Sequence, residues 1–289
     1  MPDTFITRFA PSPTGRLHLG HGFSALLAFD AARAAGGRFL LRIEDIDRSR
    51  CRDRFIDAIV EDLAWLGLAW DQPVRRQSAH MKDYQCALDR LADAGLLYPC
   101  FCTRKDIEAE IANSPAAPHG PAGALYPGIC KPLTAADRKA RIAQGQAYAL
   151  RLNVDAAIRH ALAHHAWPRH WPEQGRGPIA AQPQLLGDVV LARKDVPTSY
   201  HLAVSVDDGL QGITDIIRGE DLFHATHVHV LLQALLDLPT PRYRHHPLLR
   251  DQGGERLAKR RGSETLADLR QAGITPATIR ARLGLPVMA

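Results

Sequence analysis

The chain has 289 residues, 46% of them hydrophobic and 23% charged, with a formal net charge of +5. This composition suits a globular protein of one or two domains and excludes a disordered or fibrous chain. No run approaches the roughly 20 apolar residues of a membrane span, and Asp3 and Arg8 near the start are unlike a signal peptide, so a cytoplasmic protein is expected. The basic excess is carried by arginine, 30 residues against 6 lysines, which suits a polyanionic partner such as nucleic acid. The five cysteines, an odd number, argue against a disulfide framework and make clustered thiols candidate metal ligands.

The apolar run from Phe5 to Phe9 predicts a first strand. Arg8-Phe9-Ala10-Pro11-Ser12-Pro13-Thr14-Gly15 then makes a rigid turn, and His18-Leu19-Gly20-His21 opens an alanine- and leucine-rich helix. A helix N-terminus presents N–H groups to anions, and histidines three apart share one helical face. Alone, such a pair is more often plain surface. A second strand over 39–43 runs into Glu44-Asp45-Ile46-Asp47, acids that suit either a ligand or helix capping. Helices are predicted over 55–66 and 81–97. Strands alternating with helices imply a parallel sheet with right-handed crossovers, whose ligands bind beyond the carboxyl ends of the strands. The turns after the first two strands therefore share one rim.

The pattern changes at Tyr98-Pro99-Cys100-Phe101-Cys102. Thr103 and Asp106 resemble a cap pair for a short helix over 104–111. The proline- and glycine-rich stretch 115–127 then ends at Tyr126-Pro127-Gly128-Ile129-Cys130. A long aperiodic segment needs an organiser, and a metal held by Cys100, Cys102 and Cys130 would supply one. Spacing leaves both His119 and Tyr126 open as a fourth ligand. Cys51 and Cys86 sit apart, in helical contexts.

Strands are expected over 147–154 and 186–192, around an aperiodic loop, 159–178. Its Trp167, Arg169, His170, Trp171 and Arg176 suit aromatic pinning of the loop better than contact with nucleic acid. Tyr200 follows, and a buried strand over 213–217 places Arg218 at its carboxyl end. The helix over 224–236 carries His224 and His227 as solvated residues. Gly253-Gly254-Glu255-Arg256-Leu257-Ala258-Lys259-Arg260-Arg261 is a glycine-flanked basic loop, and two short helices, 265–272 and 276–283, end the chain.

Together these residues resemble the class I aminoacyl-tRNA synthetases in their glutamate form. The resemblance covers about residues 5–262 and rests on five ordered motifs: the Arg8–Gly15 turn, His18-x-Gly20-His21, Arg42-Ile-Glu-Asp-Ile-Asp47, Ile217-Arg-Gly-Glu-Asp-Leu222 and Arg256-Leu-Ala-Lys-Arg260. The cysteine spacing, with Tyr126 as fourth ligand, is similar to the branch that transfers glutamate to queuosine of tRNA(Asp). The resemblance implies an α/β fold, a Rossmann-like parallel catalytic core with an inserted, zinc-containing acceptor-type subdomain and no anticodon-binding domain. It divides the chain into 1–97 and 196–262 as the two catalytic halves, 98–195 as the insertion and 263–289 as a helical tail.

The same resemblance implies Mg-ATP at His18, Gly20, His21, Arg256 and Lys259, with His18, His21 and Lys259 catalytic. It implies glutamate at Arg8, Phe9, Ala10, Pro11, Ser12, Glu44, Tyr200 and Arg218, and one structural zinc at Cys100, Cys102, Tyr126 and Cys130. The implied partners are ATP, L-glutamate and queuosine-bearing tRNA(Asp), for a monomer with no membrane contact. The basic loop departs from the family's Lys-Met-Ser-Lys-Ser pattern, with arginine in place of the first lysine and Ala258 in place of the serine. A compact enzyme charging tRNA(Glu) and a non-catalytic tRNA- or amino-acid-binding paralogue are the competing expectations.

Overall fold

A computed structural model describes residues 4–113, 119–121, 123–164, 167–249 and 264–286. All four residues of β1 (Ile6–Phe9) are buried, as a strand covered on both faces requires. After α1 (Leu19–Ala34) the chain returns as β2 (Arg38–Ile43), parallel to β1 with Thr7 opposite Phe39. α2 (Asp53–Trp65), the short β3 (Arg75–Arg76) parallel to β2, and α3 (Met81–Asp93) complete the first half. Leu26, Phe29, Phe39, Leu41, Ile59 and Leu63 form its core. α3 stops at Asp93 rather than running to residue 97. Gly95 takes the left-handed conformation (φ 70°), which ends the helix, and the chain leaves as β4 (Leu97–Cys100).

α4 (Arg104–Asn113) begins at the expected cap, with the Thr103 N–H donating to Asp106 and the Asp106 N–H to Thr103 Oγ1. The two-residue strands β5 (His119–Gly120) and β6 (Gly123–Ala124) pair, and α5 (Ala135–Ala143), β7 (Ala149–Leu152) and α6 (Val154–His164) follow. β8 (His170–Glu173) and β9 (Gly177–Ala180) form a hairpin, and β10 (Val190–Ala192) closes an antiparallel sheet in the order β10-β7-β4.

Where an aperiodic loop was expected over 159–178, residues 159–164 finish α6 and 170–180 make the hairpin. Burial alternates along β8, Trp171 and Glu173 inward, but a proline and a buried acid hide that period in so short a strand. Trp171 is fully buried against His227 and Tyr243, so it anchors the core and is closed to a nucleic acid base.

The second half comprises α7 (Tyr200–Leu210), β11 (Asp215–Gly219), α8 (Ala225–Leu235) and β12 (Arg242–His246), with β11 and β12 parallel and β8 alongside β12. The halves join where the Thr214 N–H donates to the Ile6 carbonyl and the Ile6 N–H to Thr214 Oγ1, each at 2.9 Å. The winding therefore reverses between β1 and β11, the point at which open α/β sheets bind ligands. α9 (Leu266–Gln271) and α10 (Pro276–Arg282) sink Leu266, Leu269 and Ile279 into the first-half core. Arg280 adds two 2.8 Å hydrogen bonds to Asp30 on α1. No helix among the described residues is long and apolar enough to cross a membrane.

The contact between α2 and α9 contains a costly group. Asp62 is fully buried, neither carboxylate oxygen has a hydrogen-bond partner, and Arg270 stands 3.8 Å away. Burial pushes its carboxyl up from 3.8 to about 6. The folded chain thus holds this proton more tightly than the unfolded one, so the stabilisation is complete below pH 4 and is lost as pH rises through about 6. Asp62→Asn should raise the melting temperature by about 2–6 °C at pH 8, measured by thermal denaturation, and change it little at pH 3.5. An equal shift at both pH values would contradict this account.

Candidate active site

A cavity of about 480 Å³ opens at the winding reversal. Arg8, Phe9, Ala10, Pro11 and Ser12 reach it from β1 and the turn beyond; His18, Gly20 and His21 come from the head of α1. Glu44 arrives from the end of β2, Tyr200 from the start of α7 and Arg218 from the end of β11. The two rim turns are bonded together, Glu44 N–H to the Pro11 carbonyl at 3.1 Å and Arg52 N–H to the Pro13 carbonyl at 3.2 Å. Arg256 and Lys259 lie outside the described residues. The chain on either side of them reaches the cavity, since Leu249 lines it and Thr265 bridges to His18.

His18 is the N-cap of α1 rather than part of its first turn. Its Nδ1 accepts from the Gly20 N–H at 3.1 Å, and His21 Nδ1 accepts from the His18 N–H at 3.2 Å. With both Nδ1 atoms accepting, each neutral ring carries its proton on Nε2, a donor suited to a phosphate oxygen. A Cβ at residue 20 would stand 3.0 Å from His18 Cε1, so glycine there lets the ring fold back over the helix head.

At the amino-acid end, buried charges are arranged in a fixed order. Arg8 Nε and Nη2 donate to the two Asp208 oxygens at 2.8 and 3.3 Å. Arg42, wholly buried, meets Asp208 at 2.8 Å and Glu44 at 3.5 Å. Burial alone would raise the Asp208 carboxyl, but Arg42 and Arg8 outweigh it and hold the group below its ordinary range. Glu44 is shifted upward, because burial there exceeds the pull of Arg42 and Arg8. Behind them Asp207 accepts from Arg75 and Gln77 at 2.8 Å and from Tyr84 at 2.9 Å.

Arg218 is built differently. Its Nε donates to His245 Nε2 at 3.1 Å, and Nη1 to Tyr200 OH and His229 Nδ1, both at 3.4 Å. Nη2 donates to Thr226 Oγ1 at 2.7 Å and to the Leu222 carbonyl at 3.2 Å. Each acceptor is neutral, and none of the ion pairs among the described residues includes this guanidinium. A cation only 5% exposed and lacking a carboxylate is electrostatically incomplete, and a substrate carboxylate in the cavity would complete it.

Other acids and histidines near the rim are structural. Asp45 accepts from the Ser78 N–H and hydroxyl at 2.8 and 2.7 Å. Asp47 takes the Ser49 hydroxyl, Arg50 and Arg193, and the first of these does most to hold its carboxyl down at about 2. His227 is buried rather than solvated: its Nδ1 accepts from the Gln182 N–H at 3.0 Å, and burial pushes it to about 4. Asp208, His229 and His245 are the residues that sequence reading did not single out. The signal for the first was a pair of adjacent acids inside an otherwise apolar helix.

The cysteines converge away from this cavity. The Cys100, Cys102 and Cys130 sulfurs lie within 4.8 Å of one another, with Cys102 and Cys130 3.4 Å apart. The Tyr126 hydroxyl stands 3.4 Å from Cys100 Sγ and 3.8 Å from Cys102 Sγ. Thiolates about 2.3 Å from a tetrahedral zinc are separated by about 3.8 Å, so this donor set fits the ion. The Cys130 N–H donates to Tyr126 OH at 2.8 Å, fixing the phenol, and Arg151 covers its ring at 3.7 Å. The His119 side chain lies outside the described residues.

A doubly wound sheet, a histidine-capped helix head and a buried arginine with only neutral partners meet in one cleft, the arrangement of an amino-acid-activating class I catalytic domain. The family model for tRNA synthetases class I (E and Q), catalytic domain, matches residues 4–288, and the chain belongs to that family. Within it, the chain is 51% identical to the Glutamyl-Q tRNA(Asp) synthetase of Rhodobacter capsulatus, over 97% of this chain and 100% of that protein. The Glutamyl-Q tRNA(Asp) synthetase of Nocardia farcinica is 45% identical over 96% of this chain and 85% of its own. Among solved structures, the glutamate-tRNA synthetase of Elizabethkingia anophelis matches with a TM-score of 0.73 at 27% identity, over 94% of this chain and 54% of that one. The chain thus spans about half of that longer enzyme.

Proposed function

We propose that the protein activates L-glutamate with Mg-ATP and transfers the glutamyl group to queuosine at position 34 of tRNA(Asp). The observation that carries the first step is that Arg218, a buried cation with only neutral partners, and the carboxylate of Glu44 line one cavity. Glutamate brings two carboxylates and an ammonium. Arg218 and Arg8 take the carboxylates, and Glu44 takes the ammonium. The α-carboxylate then attacks the α-phosphorus of ATP and pyrophosphate leaves, so catalysis is positioning and stabilisation of charge on phosphate oxygens. His18 and His21 donate from Nε2 to those oxygens, and Lys259 and Arg256 meet the departing pyrophosphate. In the second step a hydroxyl of the queuosine cyclopentenediol attacks the acyl carbon and AMP leaves.

The named substrate of the Rhodobacter and Nocardia relatives supports queuosine in tRNA(Asp) as the acceptor. We read residues 98–195 as an insertion stabilised by one zinc at Cys100, Cys102, Tyr126 and Cys130, between catalytic halves 1–97 and 196–262 of a monomer, with 263–289 as a helical tail. Labelled glutamate with ATP and tRNA(Asp) whose 3′ end has been removed tests the whole reading. Label should enter queuosine-bearing tRNA(Asp) and be absent from the same tRNA lacking queuosine. Labelling of intact tRNA(Glu) instead would make the protein an ordinary charging enzyme.

A further inference from the structure

Behind Arg218 stands a residue that this scheme leaves unused. His229, on α8, is 2% exposed and does not line the cavity, whereas Tyr200 and Leu222 do. Of the two partners of Nη1, Tyr200 therefore faces the substrate and His229 holds the rear. An Arg218 N–H points at His229 Nδ1, so that nitrogen is the acceptor and the ring proton sits on Nε2. Nε2 then donates to His201 Nδ1 at 3.1 Å, which fixes the proton order along Arg218, His229 and His201. At Arg8 the same gripping task is done by a carboxylate, Asp208, which is shared with Arg42 and offsets part of the charge it holds.

We propose that His229 is a positioning residue that sets amino-acid specificity: its bare Nδ1 orients Arg218 without neutralising it, so a full positive charge meets the substrate's side-chain carboxylate. This rests on the reading of the cavity as a glutamate site. An aspartate at 229, serving Arg218 alone, would orient the guanidinium equally well and weaken its pull on an anion. A neutral imidazole supplies the lone pair alone. His245 does likewise at Nε, with the Glu173 carboxylate reached only through its ring.

Glutamate- and glutamine-dependent ATP–pyrophosphate exchange in three full-length variants tests the proposal. H229L should raise the KM for glutamate about tenfold with the KM for ATP unmoved, the cost of one hydrogen bond to a charged group. H229N, which keeps an acceptor near Nδ1, should recover most of that loss. H229D has the shape of H229N but should raise the glutamate KM about 100-fold and narrow the preference over glutamine. Equal glutamate KM values for H229N and H229D would overturn the proposal, as would a matching rise in the KM for ATP. In the wild-type protein, 15N spectra of labelled histidine should show His229 with Nδ1 bare and Nε2 protonated at pH 7. The opposite tautomer or an imidazolium would overturn it even where a variant fails to fold. Absence of any glutamate-dependent exchange in the wild type would instead defeat the glutamate reading, leaving the tautomer measurement to decide the role of His229.

Discussion

Replacing Arg218 by glutamine should lower kcat/KM for glutamate in ATP–pyrophosphate exchange by about three orders of magnitude, the equivalent of about 4 kcal/mol. The size follows from what the substitution removes: a full positive charge, only 5% exposed, set against a substrate carboxylate. The protein should nonetheless remain folded. Every partner of Arg218 is neutral, so its loss strands no buried anion. Arg42 provides the contrast. It contacts Asp207, Asp208 and Glu44, and removing it would leave buried carboxylates uncompensated, a loss of about 3–5 kcal/mol of stability. Melting temperature and activity should therefore separate in the two variants: Arg218→Gln inactive and stable, Arg42→Gln both inactive and destabilised. An Arg218→Gln enzyme that kept its glutamate KM would remove this residue from the substrate site.

The line between what the sequence disclosed and what it withheld follows the reach of each interaction. The positions of the Arg8–Gly15 turn, His18 with His21, Glu44 and Arg218 were legible, since each closes a strand or opens a helix and local hydrophobic period and turn residues mark such places, whereas their roles came from the family resemblance. Their shared cavity followed from the parallel topology. Asp208 was not legible in its role, because its partner Arg8 lies 200 residues away in sequence and nothing local distinguishes a buried acid from a solvated one. The same holds for His229, which shares α8 with His227, just past the cap residue His224, and differs from them only in what lies opposite. His227 was read as solvated for that reason. Residues 170–180 escaped as a hairpin because prolines at 172 and 178 erased the strand signal, while pairing with β12 supplied the order that composition denied. The helix predicted to residue 97 overran because the amphipathic period was followed past Gly95, whose left-handed backbone is a local helix stop.

The cysteine cluster gives the second large expected effect, and its distance from the cavity makes that effect selective. None of Cys100, Cys102, Tyr126 and Cys130 lines the cavity at the winding reversal. They pack as a small separate core with Tyr98 and Phe101. That core is tied to the rim through adjacent residues, Lys194 donating its ammonium to the Phe101 carbonyl at 2.9 Å and Arg193 reaching Asp47 at 3.1 Å. The wild-type protein should carry one zinc by elemental analysis, and Cys130→Ser should hold far less. Because ligand binding and local folding are one equilibrium in small metal-organised units, the melting temperature should fall by about 5–10 °C. Pyrophosphate exchange should stay within about threefold of wild type, since the reacting groups lie on other elements, while transfer to tRNA falls much further. Tyr126→Phe separates ligand from bystander. It removes one oxygen and keeps the ring beneath Arg151, so accelerated loss of zinc to a chelator identifies the phenol as the fourth ligand, and unchanged retention would hand that place to another group.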